Sequence, residues 1–262
     1  MGGSPCRAPE TEVHVRIVGI IPARWGSTRL PGKPLVELGG QFLIERVWRR
    51  AARARCLTRL LVATDDRRIL RAVEAFGGEA VLTPRRCATG TDRLARAARG
   101  LRTDIVVNVQ GDEPFLRPAD LERLVAPLRE DDGLVMSTLA APLPPAARRD
   151  PNAVKVVVDR TGFALYFSRA PIPHVRAGRP PVASARLHLG LYAYRAGFLQ
   201  TFAAWPRTPL ERAEQLEQLR ALEHGVRIRV VAVPAPGPSV DTAGDLAAAR
   251  RLLAGRGRPA RR

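Results

Sequence analysis

No hydrophobic run in this sequence approaches the roughly 20 residues that a membrane-spanning helix needs, so nothing in it is expected to cross a bilayer. Cysteine is scarce. Cys6, Cys56 and Cys87 are odd in number and widely spaced, which argues against a disulfide framework or a zinc site and fits a reducing cytoplasm. The first apolar stretch follows Glu10 and Glu12 and serves better as a strand than as the core of a secretion signal. No internal repeat is present. Lysine is almost missing: of 43 basic residues only Lys33 and Lys155 are lysine. With abundant Ala, Gly and Pro, that skew reads as a GC-rich genome writing arginine wherever a cation is tolerated. It tempers the nucleic-acid reading that a formal charge of +18 invites. Aromatics are sparse and do not interleave with a basic patch, as single-strand binding would favour, so no specific nucleic-acid partner is expected.

What is present is enough for a core. The 262 residues are 45% hydrophobic, which suits one large α/β domain or a domain with an insertion. The stretch that organises the rest is Ile20 to Leu35. An apolar run from Val15 to Ile21 reads as a buried parallel strand and ends at Pro22. Beyond it, prolines, glycines, hydroxyls and the cations Arg24, Arg29 and Lys33 crowd one loop. Glycines let backbone approach a ligand, and free N–H groups cradle anions. The chemistry implied is triphosphate binding at the end of the first strand, with an ordinary basic turn as the alternative. The loop is not a Walker A motif: five residues separate Gly26 from Gly32, and Pro34 follows Lys33.

Strands and helices then alternate. The pattern predicts a helix over 42–55, a strand over 60–64, a helix over 69–76, a short strand over 80–82, a helix over 91–98 and a strand over 105–109. That alternation predicts a mainly parallel sheet with ligands at the carboxyl ends of its strands. After about residue 132 the pattern changes. Strands are expected over 134–139, 154–158, 163–167 and 187–194, with a hairpin turn at 159–162, as an antiparallel insertion within about 142–194. A helix over 210–224, a strand over 226–233 and a helix over 242–253 close the domain. Residues 1–14 read as a loose extension, 15–253 as a single domain, and 254–262 as a basic disordered tail.

The segment Gln110-Gly111-Asp112-Glu113-Pro114 directly follows the strand over 105–109, which places Asp112 at the sheet's carboxyl edge. Magnesium takes one or two carboxylates plus substrate phosphates, and a single aspartate at a sheet edge suits that need. A helix cap or turn aspartate is the alternative. The phosphate loop tips the reading towards metal. Asp241, in Ser239-Val240-Asp241-Thr242, opens the last helix, where capping and metal binding could coexist.

The loop 20–35 resembles the signature of sugar-nucleotide cytidylyltransferases, most closely the 3-deoxy-manno-octulosonate (KDO) cytidylyltransferase family. Together with the later motifs, the resemblance runs from about Val15 to Leu253. It implies a three-layer, Rossmann-like nucleotidyltransferase fold of the nucleotide-diphospho-sugar transferase kind, with an inserted antiparallel arm. It implies catalytic roles for Arg24 and Lys33 on the triphosphate of CTP, and for Asp112 and Asp241 as ligands of Mg2+. CTP contacts are implied for Ala23, Arg24, Ser27, Thr28, Lys33, Thr64, Asp65, Thr89, Gly90, Thr91 and Arg93. The segment 89–93 has a plain capping sequence as its alternative. The sugar-acid side is implied to hold Gln110, Arg169, His188, Tyr192, Glu217 and Gln218. Arg169 is suited to grip a carboxylate, and His188 and Tyr192 share one face of a strand. Each also has a bland reading: Tyr192 as core, His188 as a satisfied histidine, Glu217 as a solvated helix face. The loop between Arg169 and His188 is shorter than is usual in the family, and His174 stands where Trp is common. The activity implied is CMP transfer from CTP to a 2-keto-3-deoxy sugar acid, with lipopolysaccharide assembly as its usual use and a homodimer as the assembly. The alternatives are a cytidylyltransferase for a sialic or aminated acid, and a non-catalytic nucleotide- or nucleic-acid-binding protein. Lys155 lies in a strand-like run and is assigned no role.

Overall fold

The computed structural model describes residues 15–27, 29–87, 89–176 and 185–256. The extension over 1–14, Thr28 and the last six residues lie outside the described residues. Strand β1 (Ile17–Ala23) is followed by a single 3-10 turn over Lys33–Leu35 and then by α1 (Leu43–Ala51), β2 (Arg59–Thr64), α2 (Arg67–Ala75), β3 (Glu79–Leu82), α3 (Gly90–Ala98) and β4 (Ile105–Asn108). Helix α4 (Pro118–Glu130) leads to β5 (Met136–Pro142), then to the hairpin of β6 (Lys155–Val158) and β7 (Ala164–Ser168). The chain continues through β8 (Arg186–Arg195), α5 (Ala196–Ala204), α6 (Pro209–Glu214), α7 (Gln218–Glu223), β9 (Arg229–Ala232) and α8 (Ala243–Arg256).

The strands form one sheet with the path β3-β2-β1-β4-β8-β5-β9. β1 pairs parallel with β2 and β4, β2 with β3, and β5 with β9. β8 runs antiparallel between β4 and β5. The β6–β7 hairpin joins this sheet where β6 pairs with the start of β8. The expected antiparallel element is therefore a continuation of the sheet.

The alternation of β1 explains the layers. Ile17 and Ile21 pack on one face with Ile44 and Val47 of α1, Ile69 of α2 and Leu121 and Leu124 of α4. Val18 and Ile20 pack on the other with Leu94 of α3, Leu199 and Phe202 of α5 and Leu219 of α7. A strand buried on both faces must read as continuously apolar, as Ile17–Ala23 does. A third, smaller cluster joins Leu43, Phe115, Val240, Leu246 and Ala249, seating α8 beside the loop after β4. Among the described residues no helix is long and apolar enough to cross a membrane.

Three differences from the sequence pattern have physical causes. Helices α4 and α5 occupy stretches that periodicity did not assign. α4 carries Pro127 inside it, which reads as a breaker, and α5 is apolar on most faces and follows β8 without a gap. The helix expected over 210–224 is two helices, because Gln215 takes a left-handed conformation (φ 53°). The break lets Arg220 grip Glu211 through Nε–Oε2 (2.7 Å) and Nη2–Oε1 (2.6 Å), both side chains almost fully buried. In an unbroken helix residues nine apart would sit on opposite faces, ~13 Å apart along the axis, so this pair requires the kink. Finally, α8 runs on to Arg256, so residues 254–256, expected to belong to a disordered tail, are helical.

Candidate active site

A cleft of about 860 Å3 opens at the carboxyl ends of β1 and β4. The basic loop after β1 borders it. Gly32 holds a left-handed conformation there (φ 66°), and a Cβ at that position would lie 3.1 Å from the Trp25 ring. Trp25 is sandwiched in turn by the Arg68 guanidinium, 3.4 Å from its ring centre. The cation–π stack and the glycine turn together fix the loop that carries Lys33.

Lys33 is the electrostatic centre. Its Nζ donates to Asp112 Oδ2 (2.8 Å) and to Asp241 Oδ1 (2.9 Å), and Arg29 Nη2 lies 3.2 Å from the same Asp241 oxygen. Burial pulls the Lys33 ammonium down, but the charges and hydrogen bonds of Asp112 and Asp241 outweigh it and hold its pKa above the ordinary lysine value. The backbone brings the two carboxylates together: Val240 N donates to the carbonyl of Asp112 (2.9 Å), with the Val240 side chain fully buried beside Phe115. Gly237 completes the contact, since a Cβ there would fall 2.3 Å from Phe115 Cβ. Thr242, rather than Asp241, caps α8. Its hydroxyl accepts from Asp245 N (3.2 Å), while the Asp245 carboxylate accepts from Thr242 N (2.8 Å) and Asp241 N (3.1 Å). The Asp241 side chain is thereby left to the cleft.

The far wall is made by β8 and the α6–α7 break. Gln110 Nε2 donates to Gly190 O (2.6 Å), at an irregularity in the β5–β8 register. His188 and Tyr192 lie in an aromatic row with Phe167, Tyr194 and Phe202. The His188 ring is held by Thr138 Oγ1 at 3.1 Å from Nε2, and burial pushes its pKa down to about 3. Four buried polar atoms lining this wall have no hydrogen-bond partner among the described residues: Asn108 Oδ1, the Tyr192 hydroxyl, Glu217 Oε2 and Gln218 Nε2. Unpaired buried polar groups are costly, so their convergence marks a surface built for a polar ligand. Burial also raises the Glu217 carboxyl above its ordinary pKa. Arg169 stands at the cleft edge with Nε donating to Glu214 O (2.8 Å) and Nη1 to Pro151 O (2.9 Å), leaving its other donors for a ligand.

The neutral His188 predicts a pH dependence. The unfolded chain takes up a proton near the ordinary histidine value of 6.5, whereas the folded chain resists protonation until about pH 3. The unfolded state therefore binds more protons in that window, and stability falls as pH falls through it. His188→Gln is expected to show a shallower loss of urea midpoint between pH 6.5 and 4 than the parent. Equal slopes would show that the imidazole is not held neutral.

Gly90, Thr91, Gln110, Asp112, Arg169, His188, Tyr192, Glu217, Gln218 and Asp241 thus line one cleft. Lys33 joins them through its two aspartates. Other expected nucleotide contacts are engaged with the protein. Thr89 and Asp92 form a capping box that opens α3. Arg93 is almost fully buried and bonds Asp65 Oδ2 (2.7 Å) and Thr83 Oγ1 (2.5 Å). Thr64 is fully buried, and its Oγ1 accepts from Asp66 N (3.2 Å). Thr64, Asp65, Thr89 and Arg93 brace the β2 and α3 ends and are not among the residues lining the cleft. Ala23 is the buried last residue of β1, Ser27 Oγ accepts from Leu30 N (3.3 Å), and Arg24 is exposed on the loop. Thr28 is outside the described residues. The sequence reading missed Asn108, Asp150, Asn152 and Tyr194, and it quoted Glu113 without a role; all five line the cleft. Glu113 adjoins a motif and could have been found. Its carboxyl is pushed up to about 7 by burial and by the charges of Asp112 and Asp241. Asp150 and Asn152 flank Pro151 in a turn with no local signal of a ligand.

The family model described as "Cytidylyltransferase" matches residues 18–228. A 3-deoxy-manno-octulosonate cytidylyltransferase of Syntrophotalea carbinolica is 51% identical over 247 residues, covering 91% of this chain and 99% of the relative. The enzyme of the same description from Syntrophobacter fumaroxidans is 55% identical over 244 residues, covering 92% and 98%. A solved structure described as a CMP:2-keto-3-deoxy-manno-octonic acid synthetase complexed with CTP superposes with a TM-score of 0.88 at 44% identity, covering 92% of this chain and 99% of that one.

Proposed function

This chain belongs to the 3-deoxy-manno-octulosonate cytidylyltransferase family, and we propose that it transfers CMP from CTP to a 2-keto-3-deoxy sugar acid, KDO, releasing pyrophosphate. The observation that carries this reading is the meeting of Asp112 and Asp241 on one cation, Lys33, beside a wall of unpaired buried polar atoms. The first half suits a nucleotide triphosphate and its metal, the second a polyhydroxylated acid.

Mg2+ fits the donor set. Two carboxylates from separate segments already share one cation, and magnesium takes one or two carboxylates with phosphate oxygens completing its shell. Asp112 and Asp241 would hold it. When bound, it neutralises phosphate charge and lowers the pKa of the attacking hydroxyl. Lys33 and Arg29 offset the triphosphate charge, with Arg24 on the same loop. Arg169 binds the sugar carboxylate through the donors not committed to backbone carbonyls. Glu217, Gln218 and Tyr192 bond sugar hydroxyls through their unpaired atoms, and neutral His188 supports that wall without adding charge. The anomeric oxygen bonds to the α-phosphorus in line, the bond to the bridging oxygen breaks, and pyrophosphate leaves with that oxygen as the hydroxyl proton passes to solvent. Positioning and charge neutralisation account for the catalysis. A homodimer and a cytoplasmic location belong to the same reading; the strongly exposed Leu165 of β7 is a surface that a second copy would cover.

Pyrophosphate release with magnesium, measured for each of the four nucleoside triphosphates against KDO and a sialic acid, tests it. Release with CTP and KDO alone is expected. Release only with CTP and the sialic acid would transfer the assignment to that sugar, and release with no pair would overturn it.

A further inference from the structure

Lys155 is the second of the two lysines, and no step above uses it. It lies at the start of β6 and is fully buried, and the carboxylates of Asp150 and Glu214 act on it through their charge, while its hydrogen bonds go to main-chain oxygens. Its Nζ donates to three main-chain carbonyls: Asp150 O (2.9 Å), Ala153 O (2.6 Å) and Arg169 O (2.5 Å). The first two belong to the turn that presents Asp150, Asn152 and Ala153 to the cleft, and the third to the residue at the cleft edge. Arg169 holds the same turn from its other side, through Nη1 to Pro151 O (2.9 Å). Lys155, Arg169 and the turn over 150–153 therefore form one closed network on the sugar side.

The ammonium is suited to this socket in a way a guanidinium is not. Three N–H bonds diverge from one nitrogen and meet three carbonyls arranged around it, whereas arginine's donors lie in one plane. In a chain that writes arginine almost everywhere else, lysine stands where that geometry is demanded. A buried cation whose hydrogen bonds all go to carbonyls also fixes backbone positions, since moving any one carbonyl leaves an ammonium N–H unpaired.

We propose that Lys155 is a positioning residue for the acid-sugar substrate, setting Arg169 and the 150–153 turn against each other without itself contacting a substrate. The inference deepens the reading above and rests on it. The nucleotide half lies on the loop after β1 and at Asp112 and Asp241, and none of those groups touches Lys155 among the hydrogen bonds described.

The test is steady-state pyrophosphate release by Lys155→Arg and Lys155→Met, varying KDO at saturating CTP and CTP at saturating KDO, with thermal unfolding alongside. Loss of one positioned, charge-assisted contact predicts a rise of about tenfold to a hundredfold in KM for KDO, with KM for CTP within about twofold. Lys155→Arg keeps the charge and is expected to fold, so it carries the test if Lys155→Met does not. In an Arg169→Ala background the same Lys155→Arg change is expected to raise KM for KDO by clearly less than in the parent, because the two residues share one network. Unchanged KM for KDO in folded Lys155→Arg would overturn the inference, as would equal rises in both KM values or a full additive effect in the Arg169→Ala background. A parent protein that releases no pyrophosphate from CTP and KDO overturns the functional reading instead, and with it this role. An active parent beside unaffected variants overturns this role alone.

Discussion

Asp112→Asn is expected to lower kcat by about a thousandfold while the protein melts within a few degrees of the parent. The loop that carries Asp112 is pinned through main-chain atoms, by Val240 N on its carbonyl, and through the packing of Val240 against Phe115. An isosteric amide leaves those contacts in place. What it removes is charge at the point where Asp112 and Asp241 share one cation. Stabilisation of phosphoryl charge by a bound metal supplies several kcal/mol, and about 4 kcal/mol corresponds to a thousandfold in rate. Asp241→Asn is expected to act alike, since Thr242 and Asp245 cap α8 without it. Both variants should need more magnesium for half-maximal rate, and chelation should abolish activity in the parent. Near-normal turnover in either variant would remove that residue from the mechanism.

Lys33→Met should cost kcat/KM for CTP about a hundredfold to a thousandfold, with KM for the sugar acid little changed. Lys33 makes two charge-assisted bonds, each of the class that contributes about 1.5–3 kcal/mol. Without the ammonium Asp112 loses its cation and Asp241 keeps only the more exposed Arg29, and the added negative charge opposes the triphosphate that the site must admit. Lys33→Arg should not restore the parent rate. The compact ammonium reaches two oxygens from one atom, and a planar fork on a longer stem cannot occupy that point. Because the aspartates hold the Lys33 pKa above its ordinary value, the loss should be constant from pH 6 to 9. A Lys33→Met enzyme within threefold of the parent on CTP would show that the triphosphate is held elsewhere.

The elements that carry the nucleotide half were legible because their signals are local. β1 reads as a buried strand since both of its faces are covered, and the loop after it crowds cations and glycines into consecutive positions. Asp112 lies in the loop that leaves β4, and position just beyond a strand end is a property of the chain alone. The sugar half was harder. Arg169, His188, Tyr192, Glu217 and Gln218 could be named only through resemblance, because each sits in a segment whose periodicity fits an ordinary strand or helix. Asp150 and Asn152 were missed for the same reason. Their turn lines the cleft through tertiary contacts, its carbonyls bonded by Lys155 and Arg169.

Sequence by itself determined the alternation of strands and helices, the parallel core, the basic loop after β1 and the two acidic motifs. These follow from hydrophobic period, turn residues and local charge, which act over a few neighbouring residues. Tertiary structure alone decided the rest. It split the helix after Pro209, because Glu211 and Arg220 can pair only across a kink, and so set Glu217 at the cleft. It engaged Thr64, Asp65, Thr89 and Arg93 in bonds with one another and their neighbours. It also gave the two lysines their places, one bridging carboxylates and one seated among carbonyls. A cation's partners are set by which distant segments the fold brings within 3 Å, and no local pattern encodes that.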